Sequence, residues 1–249
     1  MELAKIVEIL EEIAPPELAE DFDEGRIGLI LDLENDVQKI AVALDANAYV
    51  LEKAAEIRAD LLITHHTLIF RPVNIISKPL ATSLRLALEN GISLYSMHTN
   101  YDRAKGGIND VLAARLGLRN VEEVEMGRIG EIDPCSSAEL AARVSEYLRT
   151  PIMYAGEKEE VRRVMVYGGC GFRNEYLQIA RERGAEAFVS SELKHDVLRS
   201  NGDLCLIDAT HYATENPGME ALCPRLRELL GLEVEFIEQP SGLKAIPWG

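Results

Sequence analysis

Three short stretches gather the side chains able to hold a metal or move a proton. They are Thr64-His65-His66-Thr67, Met97-His98-Thr99-Asn100-Tyr101-Asp102 and Asp208-Ala209-Thr210-His211-Tyr212-Ala213-Thr214-Glu215. Four of the chain's five histidines lie in them. Each stretch follows an apolar run (Leu61-Leu62-Ile63, Ile92 to Met97, Leu204 to Ile207), and such runs read as buried strands. Strand ends are where ligands collect in α/β sheets. An isolated His-His is more simply one core and one surface residue, because neighbours on a strand point to opposite faces. A strand that ends at Thr64 lets the turn aim both imidazoles at one space, and the two further stretches favour that reading. Imidazole and carboxylate together suit zinc, iron, manganese, cobalt or nickel.

The candidates His65, His66, His98, Asp102, His211 and Glu215 exceed the three protein ligands of a single catalytic zinc. The surplus suggests two divalent ions sharing a carboxylate. Such a pair can activate water and hold a substrate oxygen. His211 and Glu215 have the i, i+4 spacing of one helix face. His98 and Asp102 share it, but Asn100-Tyr101 favours a loop there. Gly168-Gly169-Cys170-Gly171 follows a strand and precedes a helix, where a phosphate could sit. It lacks the Lys-Ser/Thr of a P-loop, so a tight turn is the simpler reading. Lys105-Gly106-Gly107 reads as a turn or a phosphate-facing loop. No Ser-His-Asp or Cys-His arrangement is evident.

These stretches need elements to position them. Apolar spacing predicts a helix over 3–13, ended by Pro15-Pro16. Strands are expected at 27–31 and 37–44, a helix at 47–58 and a strand ending at His65. A helix at 79–90, a strand at 92–97 and a helix at 108–116 follow. Ser136 to Glu139 is a capping box opening a helix to Leu148. Strands near 151–155, 161–167, 186–189 and 204–208, a helix at 173–183 and a strand at 233–237 complete the pattern. A last helix is expected at 216–230, with Pro217 early and a kink or break at Pro224.

The chain echoes itself. Val37 to Val42 resembles Val161 to Val166, and Ala59 to His66 parallels Ala185 to Glu192. Asn90-Gly91 before the strand leading to His98 parallels Asn201-Gly202 before the strand leading to His211. The expectation is an α/β fold of two similar lobes related by an internal repeat, residues 1–127 and 128–249, with the metal site in the cleft between them. The boundary is set by Gly127, Gly130 and Pro134. His195 and Glu192 fall where the second lobe echoes His65-His66. A place on the cleft rim and a solvated helix start are both open for them.

A net charge of −16 argues against a nucleic-acid surface, which needs clustered Lys and Arg. The four cysteines form no CxxC pair and read as reduced, mostly buried thiols. The N-terminus reads as an amphipathic helix rather than a signal peptide. No apolar run reaches about 18 residues, so no membrane span is expected. A cytoplasmic location follows.

Taken together, His65 to Phe70, His98 to Asp102 and Asp208 to Glu215 resemble the GTP cyclohydrolase 1 type 2 homologs, the Nif3-like proteins with a dinuclear metal centre. The resemblance runs the whole length, and the chain looks like the short form without the inserted domain. The family usually has Pro at Thr67 and Gly at Thr210. The resemblance implies His65, His66, Asp102, His211 and Glu215 as metal ligands, with Glu215 as the bridge between ions. It leaves His98 for proton transfer or for orienting a ligand. It implies a metal-dependent hydrolase acting on GTP or another small-molecule or nucleotide substrate. A non-catalytic metal-handling or regulatory scaffold is the alternative. It also implies a hexameric ring, for which the tail Leu243 to Trp248, with the chain's one Trp, is the candidate contact segment.

Overall fold

The computed structural model describes residues 1–200 and 202–244. The expectations placed on Asn201 and on Ala245 to Trp248 lie outside them. In chain order the elements are α1 (Leu3–Ile13), β1 (Gly28–Leu31), β2 (Lys39–Asp45), α2 (Ala48–Glu56), β3 (Leu61–His66), α3 (Lys78–Glu89), β4 (Ser93–Ser96) and α4 (Thr99–Arg103). Then come α5 (Ile108–Arg115), β5 (Arg119–Val124), β6 (Gly127–Cys135), α6 (Ser137–Leu148), β7 (Met153–Ala155), β8 (Val161–Val166) and α7 (Asn174–Glu182). The chain ends with β9 (Ala187–Ser190), α8 (His195–Arg199), β10 (Cys205–Asp208), α9 (His211–Leu230) and β11 (Glu233–Phe236). No described helix is long and apolar enough to cross a membrane.

Contacts divide the chain into two compact units. The first is Met1–Gly107 with Met219–Pro240, and the second is Ile108–Gly218 with the described residues after Pro240. The boundary expected near 127 therefore falls inside the second unit, between β5 and β6, which pair antiparallel from Arg119↔Glu131 to Val124↔Gly127. The glycine that looked like a linker signal has a sheet role. A Cβ at Gly130 would lie 2.8 Å from the Arg119 carbonyl oxygen, so only glycine allows β5 this close.

The first sheet has the order β1-β4-β3-β2-β11, with β1 antiparallel and the rest parallel. The second has the order β5-β6-β8-β9-β10-β7, with β8, β9 and β10 parallel and β7 antiparallel at the edge. The repeat is thus real at the level of topology. α1-β1-β2-α2-β3-α3-β4-α4 and α6-β7-β8-α7-β9-α8-β10-α9 follow one plan. In each plan the first strand crosses to pair antiparallel with the last.

Burial explains why the strands read as apolar runs. In β8, Val164 and Val166 face one core with Leu140 and Val144 of α6, while Met165 faces another with Leu177 and Ala180 of α7. A sheet covered on both faces has no polar alternation. In the first unit, Ala41, Ala43, Leu62 and Leu94 pack with Val50, Leu51 and Ala54 of α2. Asn47 caps α2, its side chain accepting from the Val50 N–H at 3.0 Å. The capping box of Ser136 and Glu139 opens α6 as expected.

Three local expectations change. β3 runs through His66 rather than stopping at Thr64, although its ladder with β4 ends at Thr64↔Ser96. Thr99–Arg103 is a short helix, not a loop. α9 begins at His211 and runs unbroken past Pro224, with Pro217 in its interior. Met219, Leu222, Leu226 and Leu230 form a buried stripe on this helix. Burying the four at about 1.5–3 kcal/mol each matches or exceeds the roughly 6 kcal/mol that two interior prolines cost.

Candidate metal centre

In the first unit the ligand candidates stand where β3 and β4 end. His65 is fully buried, His66 and His98 are half-buried, and Asp102 is buried on α4. The His65 ring centroid lies 4.9 Å from that of His66 and 4.9 Å from that of His98. One ring nitrogen of each of the three lies within 4.8 Å of the others. Both adjacent histidines lie past the end of the β3–β4 ladder, and His66 is still paired with Asp45 of β2. His65 Nε2 is 3.6 Å from Asp102 Oδ1.

Each ring is held from behind through Nδ1. His65 Nδ1 meets the Met97 carbonyl at 3.0 Å, His66 Nδ1 meets Asp45 Oδ1 at 2.6 Å, and His98 Nδ1 meets both Asp23 oxygens at 2.9 Å. Carbonyls and carboxylates only accept, so Nδ1 is the donor in all three. The neutral ring then offers its lone pair at Nε2, the tautomer a metal requires. Asp23 is fully buried and also accepts from the Thr99 N–H at 3.1 Å and from the Thr99 hydroxyl. Burial pushes its carboxyl up, but the hydrogen bonds from His98 and Thr99 prevail and hold it below the usual carboxylate range.

The second unit repeats the device after β9 and β10. His211 opens α9, and Glu215 lies one turn on, buried, with Oε2 3.0 Å from His211 Nε2. His211 Nδ1 donates to Glu192 Oε1 at 2.6 Å. Burial pushes the Glu192 carboxyl up, but hydrogen bonds from His211 and the Cys170 thiol hold it below its ordinary range. With Nδ1 donating to Glu192, a neutral His211 ring would turn its Nε2 lone pair toward the Glu215 carboxylate. A cation between them resolves that opposition, so the donor set fits a metal.

The Gly-Gly-Cys-Gly stretch is a tight turn built against His211 and Glu215. A Cβ at Gly169 would lie 2.1 Å from Glu215 Oε1 and 3.2 Å from His211 Nε2, and φ there is +68°. Asn109, fully buried, accepts from the Gly168 N–H at 2.7 Å and donates to the Met126 carbonyl at 2.8 Å. Thr210 and Glu192, flanking His211 in space, hold φ of +65° and +61°. His195 is exposed at the start of α8, the solvated position considered for it. Lys105-Gly106-Gly107 is a plain turn, with the Lys105 carbonyl accepting from Arg225 at 3.2 Å.

Sequence reasoning left Glu192 open and did not find Asp23, Asp45, Asn109 or the fit of Gly169. The only available signal for the last was a glycine-rich turn at a strand end.

A "GTP cyclohydrolase 1 type 2 homolog" of Clostridium perfringens (strain 13 / Type A) is 31% identical, over 95% of this chain and 95% of that protein. A protein of the same name from Methanocaldococcus jannaschii is 31% identical, over 94% of this chain and 98% of its own length. The solved structure of reduced HcgD from Methanocaldococcus jannaschii superposes with a TM-score of 0.84 at 29% identity, over 96% of this chain and 98% of that one. The family profile described as Duf34/NIF3 (NGG1p interacting factor 3) matches residues 1–241. The chain belongs to the DUF34/NIF3 family.

Proposed function

We propose that the protein is a dinuclear metal-dependent hydrolase of nucleotides, with His65, His66, Asp102, His211 and Glu215 as ligands. The observation that carries this reading is the set of Nδ1 hydrogen bonds. His65, His66, His98 and His211 each spend Nδ1 on a protein acceptor. A histidine kept for packing or solubility has no reason to repeat that arrangement four times. The second set alone supplies one imidazole and one carboxylate at the His211–Glu215 pair, fewer than the three protein ligands of a catalytic ion. The family resemblance supports the further step that the two sets serve one centre of two ions (zinc, iron, manganese, cobalt or nickel), with Glu215 as the bridge.

Such ions, when bound, polarise a substrate oxygen and lower the pKa of water. The chain's own residues do the rest. His65, His66 and His211 offer Nε2, their rings fixed by the Met97 carbonyl, Asp45 and Glu192. His98, backed by buried Asp23, moves the proton between water and the leaving group. The name shared by the relatives suggests GTP as substrate. The four free thiols suit a reducing cytoplasm, and the family resemblance favours a hexameric ring.

The test joins elemental analysis to turnover. Protein purified without chelator should hold about two divalent ions per chain. Metal-loaded protein should hydrolyse a nucleotide, and Glu215→Gln should abolish that activity. Activity surviving in Glu215→Gln sinks the mechanism. Two bound ions with no turnover on any nucleotide favours the scaffold reading. Light scattering decides the ring: a mass near one chain, 27.6 kDa, refutes it.

A further inference from the structure

Beside the three-histidine cluster the first unit exposes two phenylalanines. Phe22 is 43% exposed and Phe70 is 44% exposed. Each meets the His98 ring edge-on, with centroids at 6.2 Å and 6.1 Å. The Arg26 guanidinium lies over both, 4.3 Å from the Phe70 centroid and 5.7 Å from that of Phe22. Among the described residues the Arg26 guanidinium makes these ring contacts and no ion pair or hydrogen bond, while its backbone N–H donates to the Asp23 carbonyl at 2.8 Å.

That combination is unusual in this chain. Acidic residues number 42 against 26 Lys and Arg, so a half-buried arginine would readily find a carboxylate. Its contact with the Phe70 ring instead leaves its N–H fork open. An open fork matches phosphate geometry in two parallel hydrogen bonds. The exposed phenyl faces accept a planar ring by stacking, as nucleic-acid bases do on aromatic side chains.

We propose that Phe22, Phe70 and Arg26 form a slot beside the His65–His66–His98 cluster that takes a nucleoside phosphate, base against the phenyl faces and phosphate on Arg26. This rests on, and deepens, the nucleotide-hydrolase reading. Arg26 and Phe70 select the substrate, and His98 lies at the inner edge of the slot to meet it.

The test is binding, read without turnover. Guanosine 5′-monophosphate and guanosine are titrated by calorimetry into metal-loaded wild type, Arg26→Gln and Phe70→Leu. Arg26→Gln should weaken the monophosphate by about tenfold or more and leave guanosine unchanged, because only a charge-assisted contact is lost. Phe70→Leu should weaken both by about tenfold. Melting curves confirm that the variants, changed at partly exposed positions, are folded. Equal monophosphate binding by Arg26→Gln and wild type overturns the slot, as does a wild type that binds neither compound. A fall in light-scattering mass with unchanged nucleotide binding also overturns it, assigning the surface to contact between copies. The two readings fail separately. The expected binding pattern with no turnover leaves the slot and fells the hydrolase. Turnover untouched by Arg26→Gln does the reverse.

Discussion

His66 donates from Nδ1 to Asp45 Oδ1 at 2.6 Å, a contact between the ends of the neighbouring parallel strands β3 and β2. His211 does the same to Glu192 at 2.6 Å after β10 and β9. The repeat carries a side-chain arrangement as well as a topology: in each unit a carboxylate at or just past the end of one strand holds an imidazole at or just past the end of the next.

The first prediction follows from that pairing. Asp45→Ala and Glu192→Ala should each lower metal affinity by about ten- to a hundredfold, because the ring loses both its tautomer and its aim. Asp45→Asn and Glu192→Gln keep an acceptor and should lose less. Competition against a chelator, read by elemental analysis, measures this. Alanine variants that hold metal as wild type does would show the carboxylates to be bystanders.

A second prediction concerns Asp23 and pH. Its folded carboxyl titrates below the ordinary value of 3.8, because hydrogen bonds from His98 and Thr99 outweigh burial. A depressed folded pKa contributes stability that is present above the unfolded value and is lost as pH falls through the folded one. At neutral pH Asp23→Asn should cost about 2–4 kcal/mol, the scale of removing a buried, hydrogen-bonded charge. The gap between variant and wild type should close as pH drops below 3.8. Urea melts at several pH values give the curve, and a gap of constant size from neutral to acid would contradict it.

The ligands are legible in the sequence because histidine is rare here and four of five fall in three motifs. The layer behind them is not. Asp23 sits in the acidic run Glu20-Asp21-Phe22-Asp23-Glu24, within a chain of 42 acidic residues, so its type carries no signal. Only the fold singles it out, by burying it completely. The strands and their repeat are legible because both faces are covered and the runs stay apolar. β5 is missed for the opposite reason: from Arg119 to Glu123 it is exposed at a sheet edge and reads as polar loop. The start of α9 is missed because Pro217 suggests a first turn, whereas packing of the later apolar stripe carries the helix through both prolines.

Thr210 supplies a third prediction. It holds φ at +65°, a region that β-branched residues rarely enter, directly before His211. Left-handed backbone at such a residue costs on the order of 1–3 kcal/mol. Its hydroxyl returns little, lying 3.3 Å from the Thr150 hydroxyl. Thr210→Gly should therefore raise the melting temperature by a few degrees, net of the added freedom of the unfolded chain. Thr210→Ala keeps the strain and loses the hydroxyl, so it should not. A glycine variant no more stable than the alanine one would remove strain from the account of this turn.

The last prediction is the most severe change for the smallest addition. Gly169 packs so tightly against His211 and Glu215 that a Cβ would lie 2.1 Å from Glu215 Oε1. Its N–H donates to Thr214 Oγ1 at 2.9 Å, and its carbonyl accepts from Ser191 Oγ at 2.6 Å and Ser190 Oγ at 3.0 Å. The backbone is thus pinned on both sides and cannot retreat. Glu215 must move instead, and in the proposed centre a displaced Glu215 would no longer set the spacing of two ions. Gly169→Ala should cut metal content by half or more and abolish turnover. Gly184→Ala is the control, since Gly184 has φ of +72° but nothing within 4 Å of its added Cβ. It should cost about 1 kcal/mol of backbone strain and leave metal content intact. Equal metal content in the two variants would mean that Glu215 tolerates displacement and that the glycine turn is not part of the centre.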